Sequence, residues 1–380
     1  MAFLKSPFWG AVGILCGMII GSGMFALPFA VNVSGILPSI IAAGIAFFLV
    51  LSMHLAYGEI VVNTWERHRL PGYAGLYLGR WGNWLAKISQ TLGFNTALVI
   101  YASLAGIFLV TIFGGDRFLW SILFLFIMSL VLFFEPVSGI GKINIIFVIS
   151  IVFVTLIISG FAFGSGTFEN LSNTAFVGKD PFFAFGVFVF ALTGLSVIAD
   201  ARDIFGGKDA HKLRKVIFVG TSVPFFLYII FIAAVLMAID GKVTQNVIQS
   251  MAEVLGRNAV ILGATVGVMA MFSAFLALGY DLKEIYELDV GVSKNSSWAL
   301  ATIIPIIIFT LGAGDFIKLM SLMGGIFISI DGFLVLAILN RLQKSGVLML
   351  SFTRFGKIHK FALAGILLLS ISYEVFYQIF

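Results

Sequence analysis

Two short stretches bring main-chain chemistry into the middle of apolar runs. In Gly21-Ser22-Gly23-Met24-Phe25-Ala26-Leu27-Pro28, two glycines and a proline stand where an uninterrupted helix would exclude them. In Ala191-Leu192-Thr193-Gly194-Leu195-Ser196, a glycine stands between a threonine and a serine halfway along a second run. Breaking a helix frees N–H groups, which favour an anion at the start of a half-helix, and carbonyls, which accept from a cation. Titratable chemistry is sparse. Glu59 closes an apolar run and can be held by Arg67 or Arg69, whereas His54 lies deeper and is the better proton-relay candidate by position. Tyr280-Asp281 and Gly312-Ala313-Gly314-Asp315 resemble the paired aspartates of an intramembrane protease. Two such carboxylates must share one depth to share a proton, and an intervening apolar run sends these to opposite faces.

The elements that hold these residues follow from composition. The 380 residues are 60% hydrophobic and 11% charged, with a mean hydropathy of +1.10, against roughly 25% charged in a soluble domain. Apolar runs predict eleven spans, near 8–32, 36–60, 84–113, 117–135, 142–164, 181–205, 214–239, 258–280, 298–314, 316–340 and 358–379. The run after Lys5 is too long for a cleavable leader and is read as span 1. With the N-terminus cytoplasmic, only Arg117, Lys179, Lys242, Arg257 and Lys318 of the 23 Lys and Arg fall outside. That bias predicts a multi-pass protein of the cell membrane with a cytoplasmic N-terminus and an external C-terminus. The net charge of +5 is thus accounted for without nucleic acid, and Cys16, the single cysteine, excludes an intramolecular disulfide.

Gly13, Gly17 and Gly21, four apart, also fit a small-residue packing face. The interruption in span 6 argues for more than packing. Spans 1 and 6 are five apart, so they cross in opposite directions, which is the parity of an inverted repeat. Residues 8–164 then form one repeat and 181–340 the other, in a single transmembrane domain that adds an extra helix at 358–379. Freed backbone at this depth must line a cavity or be buried in protein.

The Gly-Ser-Gly-Met-Phe-Ala-Leu-Pro stretch resembles the first helix of the amino acid–polyamine–organocation superfamily, whose members share a LeuT-like five-plus-five inverted repeat. Glu59, Tyr101 and Leu278-Gly279-Tyr280-Asp281 look most like its aromatic and hydroxy amino acid permease branch. Thr193-Gly194 departs from the histidine-glycine pair that this branch often carries in helix 6. The resemblance implies an all-α membrane transporter with broken helices 1 and 6, no enzymatic activity, and a symported neutral amino acid as cargo.

Such a substrate carries a carboxylate and an ammonium. Amides around Ser22, Gly23 and Met24 are assigned to the first, and carbonyls of Phe190, Ala191 and Thr193, beside Gly194, to the second. Gly21 and Gly23 let the substrate approach the main chain. Phe25 and Phe190 are candidates to cover its side chain. Helix 3 lines the site in similar transporters, which brings in Asn95 and Tyr101. No cofactor is expected beyond a co-transported ion. A sodium site carried over from this architecture would use carbonyls near Gly17 and Ile20 with the hydroxyl of Ser273, whereas His54 and Glu59 represent the proton. Both remain open, with the lean toward protons. A channel is the third reading, and nothing resembles a filter of stacked carbonyl rings.

Overall fold

A computed structural model describes residues 6–134, 137–205, 210–239, 243–245, 247–312, 316–345, 351–352 and 355–379. Lys5, Lys242, Ala313, Gly314 and Asp315 of the sequence reading lie outside them. The helices, in chain order, are α1 (Pro7–Ile19), α2 (Gly23–Ser34), α3 (Ile36–Asn63), α4 (Leu70–Leu78), α5 (Arg80–Phe113), α6 (Arg117–Phe134) and α7 (Val137–Ser165). They continue as α8 (Phe168–Asn173), α9 (Phe183–Leu192), α10 (Ile198–Asp203), α11 (Ala210–Ala238), α12 (Val247–Ser250) and α13 (Ala252–Glu284). The last are α14 (Lys294–Thr310), α15 (Phe316–Leu322), α16 (Ile328–Lys344) and α17 (Lys357–Ile379).

Among the described residues, nine helical segments are long and apolar enough to cross a membrane, and the bent pair α1–α2 makes a tenth. Expected span 9 corresponds to α14, whose 17 residues extend about 25 Å at 1.5 Å per residue, the short end of what spans a bilayer. The count of eleven therefore reduces to nine or ten unequivocal spans and one marginal helix. Expected span 8 is also too short. It runs from Gly256 to Val290 because a π-helical turn at Ile285–Val290 prolongs α13.

The first break falls at residues 20–22. Ile20 leaves the helical region, with ψ at 75°, the amide of Gly21 turns back to the Ile19 carbonyl at 2.8 Å, and α2 leaves α1 at 48°. Pro28 is not the breaker, since it lies inside continuous α2 and forfeits only its own amide bond. The second break is Thr193–Gly194, extended at Thr193 (ψ 134°) and followed by a 3₁₀ turn at Leu195–Val197 that leads into α10.

The two broken helices sit at the centre. α2 packs on α9, α1 packs on α10, α11, α7 and α13, and α5 and α16 close the remaining side. The glycines at the breaks are there for helix contact. A Cβ on Gly23 would fall 2.5 Å from the Cα of Ala191, one on Gly194 would press the side chains of Ile19 and Leu15 at 2.8 Å, and one on Gly21 would meet Ala274 at 3.3 Å. At Gly23 the obstacle is the backbone of α9, which cannot turn aside.

Candidate functional site

Where the breaks meet, a small cavity of about 40 Å³ opens among α1, α2, α5, α9, α13 and α16. Gly21, Ser22, Gly23, Tyr101, Phe190, Ala191, Thr193 and Gly194 all line it. α2 begins at Gly23, so the amides of Gly23 and Met24 have no acceptor within the helix, while the Phe25 amide turns to the Ser22 carbonyl at 3.2 Å. The buried hydroxyl of Ser22 has no hydrogen-bond partner in the structure. One wall thus offers donors to an anion. Opposite, the Phe190 carbonyl accepts from the Thr193 amide at 3.3 Å, and the Ala191 carbonyl is touched by the Tyr228 hydroxyl at 3.2 Å.

Three assigned residues do not line the cavity. Met24 turns its sulfur toward the Thr155 hydroxyl, 3.9 Å away on α7. Phe25 packs edge-on against Phe108 and Phe231. Asn95 donates to the Thr91 carbonyl at 2.7 Å and reaches the Tyr286 hydroxyl at 3.4 Å, on the face of α5 toward the end of α13. The reason is helical phase. Gln90, Phe94, Ala97 and Tyr101 line the cavity at steps of four, three and four, which is one stripe. Asn95, six residues before Tyr101, stands well off that stripe.

The ion-coupling candidates separate as well. His54 is fully buried and both its nitrogens are engaged, Nε2 with the Gly194 amide at 3.0 Å and Nδ1 with the Thr221 hydroxyl at 2.9 Å. Because an amide can only donate, Nε2 is the unprotonated nitrogen and Nδ1–H donates to Thr221. The ring therefore holds the break in α9–α10 to α11. Glu59 is not paired with Arg67 or Arg69, the expected partners. Its two oxygens take the Phe352 amide at 2.8 Å and the Gln343 side chain at 3.3 Å, which ties α3 to the segment after α16. Gly17, Ile20 and Ser273 are buried but outside the cavity lining. Ala274 on α13, which meets Gly21, brings no second hydroxyl beside Ser273.

Arg67 and Arg69 instead organise one end of the site. Arg69, 4% exposed, reaches Asp200 at 2.9 Å, Asp281 at 2.9 Å, Glu284 at 2.6 Å and the Ser196 carbonyl at 3.1 Å. Arg67 adds contacts to Asp203 and Glu284 at 3.1 and 3.3 Å. Burial opposes the charge on Arg69, yet Asp281, Asp200 and Glu284 together hold its ionisation well above the ordinary arginine value. Asp281 is thus a partner in an ion-pair cluster that clamps α10 and α13 to the α3–α4 loop.

The sequence reading missed Tyr228, which lies behind the cavity wall, and Asp331 and Gln90, which line it. Tyr228 on α11 donates to the Ile19 carbonyl at 2.5 Å while touching Ala191, so one hydroxyl spans both breaks. Asp331 on α16 lines the cavity beside Gln90. An acidic residue in an otherwise apolar run was signal enough for Asp331. Tyr228 gave no such signal, because tyrosine is an ordinary membrane residue.

An all-helical membrane chain with a buried cavity at two facing helix breaks is built as a secondary transporter, and it has no need of catalytic groups. The chain belongs to the tryptophan/tyrosine permease family, whose model matches residues 5–335. It is therefore a membrane permease with the LeuT-like fold and not an enzyme. It is similar in structure to MhsT in complex with L-phenylalanine, at TM-score 0.68 and 14% identity over 97% of both chains. It also resembles Mhp1, a nucleobase-cation-symport-1 family transporter in a closed conformation with bromovinylhydantoin bound, at TM-score 0.66 and 14% identity over 87% of this chain and 77% of that one. A manganese transporter from Eremococcus coleocola, in complex with an aromatic bis-isothiourea substituted compound, gives TM-score 0.66 and 15% identity over 98% and 87%. At such identities the likeness is one of fold. No curated protein matches the chain in sequence.

Proposed function

We propose that the chain is a proton-coupled symporter of a neutral aromatic amino acid, working by alternating access in the cell membrane with its N-terminus cytoplasmic. The observation that carries this reading is the cavity itself, where the open amides at the start of α2 face the broken end of α9 between Phe94, Tyr101 and Phe190. The substrate carboxylate meets the amides around Ser22 and Gly23, its ammonium meets the Thr193 and Ala191 carbonyls, and its ring lies among the aromatic walls. The description of the family supports an aromatic substrate, as does the L-phenylalanine in MhsT. Membership of the amino acid–polyamine–organocation superfamily, read from the first-helix motif, belongs to the same proposal.

With this orientation the Arg69 cluster is the cytoplasmic closure, because the α3–α4 loop and the ends of α10 and α13 lie on the inner side. Opening the cluster would release substrate inward. Protons are preferred over sodium because Ala274, and not a second hydroxyl, stands next to Ser273 on α13.

The test is uptake by proteoliposomes of a panel of labelled amino acids under separately imposed proton and sodium gradients. Saturable uptake of tryptophan, tyrosine or phenylalanine driven by protons alone is expected. Preference for a small aliphatic or charged amino acid, or dependence on sodium alone, would overturn the substrate or the coupling assignment respectively.

A further inference from the structure

Asp331 is a carboxyl group without a cation in the wall of the cavity. It is 7% exposed; one oxygen lies 3.4 Å from the Gln90 amide nitrogen and the other has no hydrogen-bond partner. Most titratable groups on the helices packed against α16 are engaged elsewhere, and His359 of α17, whose Nε2 has no hydrogen-bond partner, lies against Phe355 and Phe48 next to Lys360. On α3, His54 faces Gly194 and Thr221, Tyr57 packs on Tyr73 of α4, and Glu59 faces Phe352 and Gln343. Tyr77 of α4 meets Thr64, and on α17 Lys360 binds Gln343 while Glu374 binds Ser321. On α5, the neighbours of Asp331 are the neutral Gln90 and Ser89, the latter donating to the Phe327 carbonyl at 3.2 Å. Tyr101 is about three turns farther along the stripe, and Lys87 precedes Gln90.

Gln90 also connects two spaces. Together with Phe94, Leu195 and Ser196 it lines both the substrate cavity and a smaller void that continues to Tyr57, Arg69 and Asp281. A group beside Gln90 therefore faces the substrate on one side and the ion-pair closure on the other.

We propose that Asp331 carries the co-transported proton, an inference that rests on the proton-symport reading above. The step makes and breaks one O–H bond. A hydronium ion entering the open cavity gives its proton to the Asp331 carboxylate and is left as water, and the acid returns the proton to water as hydronium after the opposite side opens. Gln90 serves both states, because its amide nitrogen donates to the carboxylate and its amide oxygen can accept from the acid. An uncompensated charge is costly inside a closed membrane cavity, so closure with substrate favours the loaded acid. This links proton to cargo.

The test uses the full-length protein in proteoliposomes with labelled L-tryptophan and a trapped pH dye. An inside-alkaline gradient of about one unit supports about tenfold accumulation by the wild type at one proton per substrate. Asp331→Asn is expected to lose this accumulation and the substrate-induced proton influx, while still exchanging labelled for unlabelled tryptophan at a reduced rate. Asp331→Glu should recover part of the influx, and Glu374→Gln, which alters a buried carboxyl outside the cavity, should keep it. Wild-type-like accumulation by Asp331→Asn would overturn the assignment, as would loss of exchange in both Asp331 variants or loss of influx in Glu374→Gln alone. A wild type that exchanges tryptophan but takes up no protons would instead bring down the proton-symport reading, and the assignment with it.

Discussion

The Nε2 atom of His54 on α3 accepts the backbone amide of Gly194 at 3.0 Å. One side chain thereby satisfies a main-chain group that the break in the second broken helix sets free. Its other nitrogen donates to Thr221 at 2.9 Å, so the ring is a neutral brace between α3, the break and α11. His54→Ala should destabilise the protein by about 1–3 kcal/mol, the cost of leaving a buried amide unpaired. His54→Gln, which can offer both a donor and an acceptor, should recover part of this and keep proton-driven uptake. Thermal unfolding in detergent and uptake under a pH gradient check the two halves. Loss of coupling in His54→Gln with unchanged stability would restore the relay reading.

Gly23 and Gly21 should differ in tolerance. A Cβ at Gly23 meets the Ala191 backbone at 2.5 Å, whereas one at Gly21 meets the Ala274 side chain at 3.3 Å. Gly23→Ala should cost about 1–3 kcal/mol by forcing α2 and α9 apart and should abolish uptake. Gly21→Ala should retain measurable transport. The reverse order, in paired melting and uptake assays, would show that the helix contact is not what the glycine at 23 preserves.

Tyr228 joins the two breaks through a single hydroxyl, bonded to the Ile19 carbonyl and touching Ala191. Tyr228→Phe keeps the ring and removes only that link, for about 1 kcal/mol. Because both carbonyls lie beside the cavity, the expected readout is a several-fold weaker apparent affinity for substrate with near-normal expression. Unchanged affinity, measured by concentration-dependent uptake, would reduce Tyr228 to packing.

Arg69 is the shared cation of Asp200, Asp281 and Glu284. Arg69→Ala would leave those carboxylates buried together and should cost about 3–5 kcal/mol. It should also open that end of the cavity. A cysteine placed at Ser196 in a Cys16→Ser background should then react faster with a membrane-impermeant maleimide applied from the cytoplasmic side, and unchanged reactivity would argue against a closure there. The raised ionisation of Arg69 gives the sign of the pH effect. Its contribution is complete below the ordinary arginine value and is lost only above it, so moderately alkaline pH should not open the cluster, and labelling should rise only as far as thiolate formation at the cysteine accounts for.

Ser273 tests the competing ion. With protons as the driving ion, uptake by Ser273→Ala should persist without sodium. Sodium-dependent uptake that disappears in Ser273→Ala would reverse the proton assignment.

The sequence by itself determined the membrane character, most span positions, both helix breaks and eight of the residues that line the cavity. These features are local: hydropathy over some twenty residues sets a span, and glycine among apolar residues weakens the helix where it stands. Even so, the local signal was incomplete. Pro28 looked like part of the break and lies in a continuous helix, while α14 proved marginal in length.

Only the tertiary structure decided what each polar side chain faces. The phase of α5 put Gln90 and Phe94 into the cavity and turned Asn95 out, and the packing of α16 brought Asp331 beside Gln90. The fold also gave Arg69 its three carboxylates from α10 and α13, and gave Glu59 a partner beyond the end of α16. Each of these pairings joins residues more than 130 positions apart. Spacing along one helix fixes which residues share its face, but the partner that face meets depends on how the other helices pack around it.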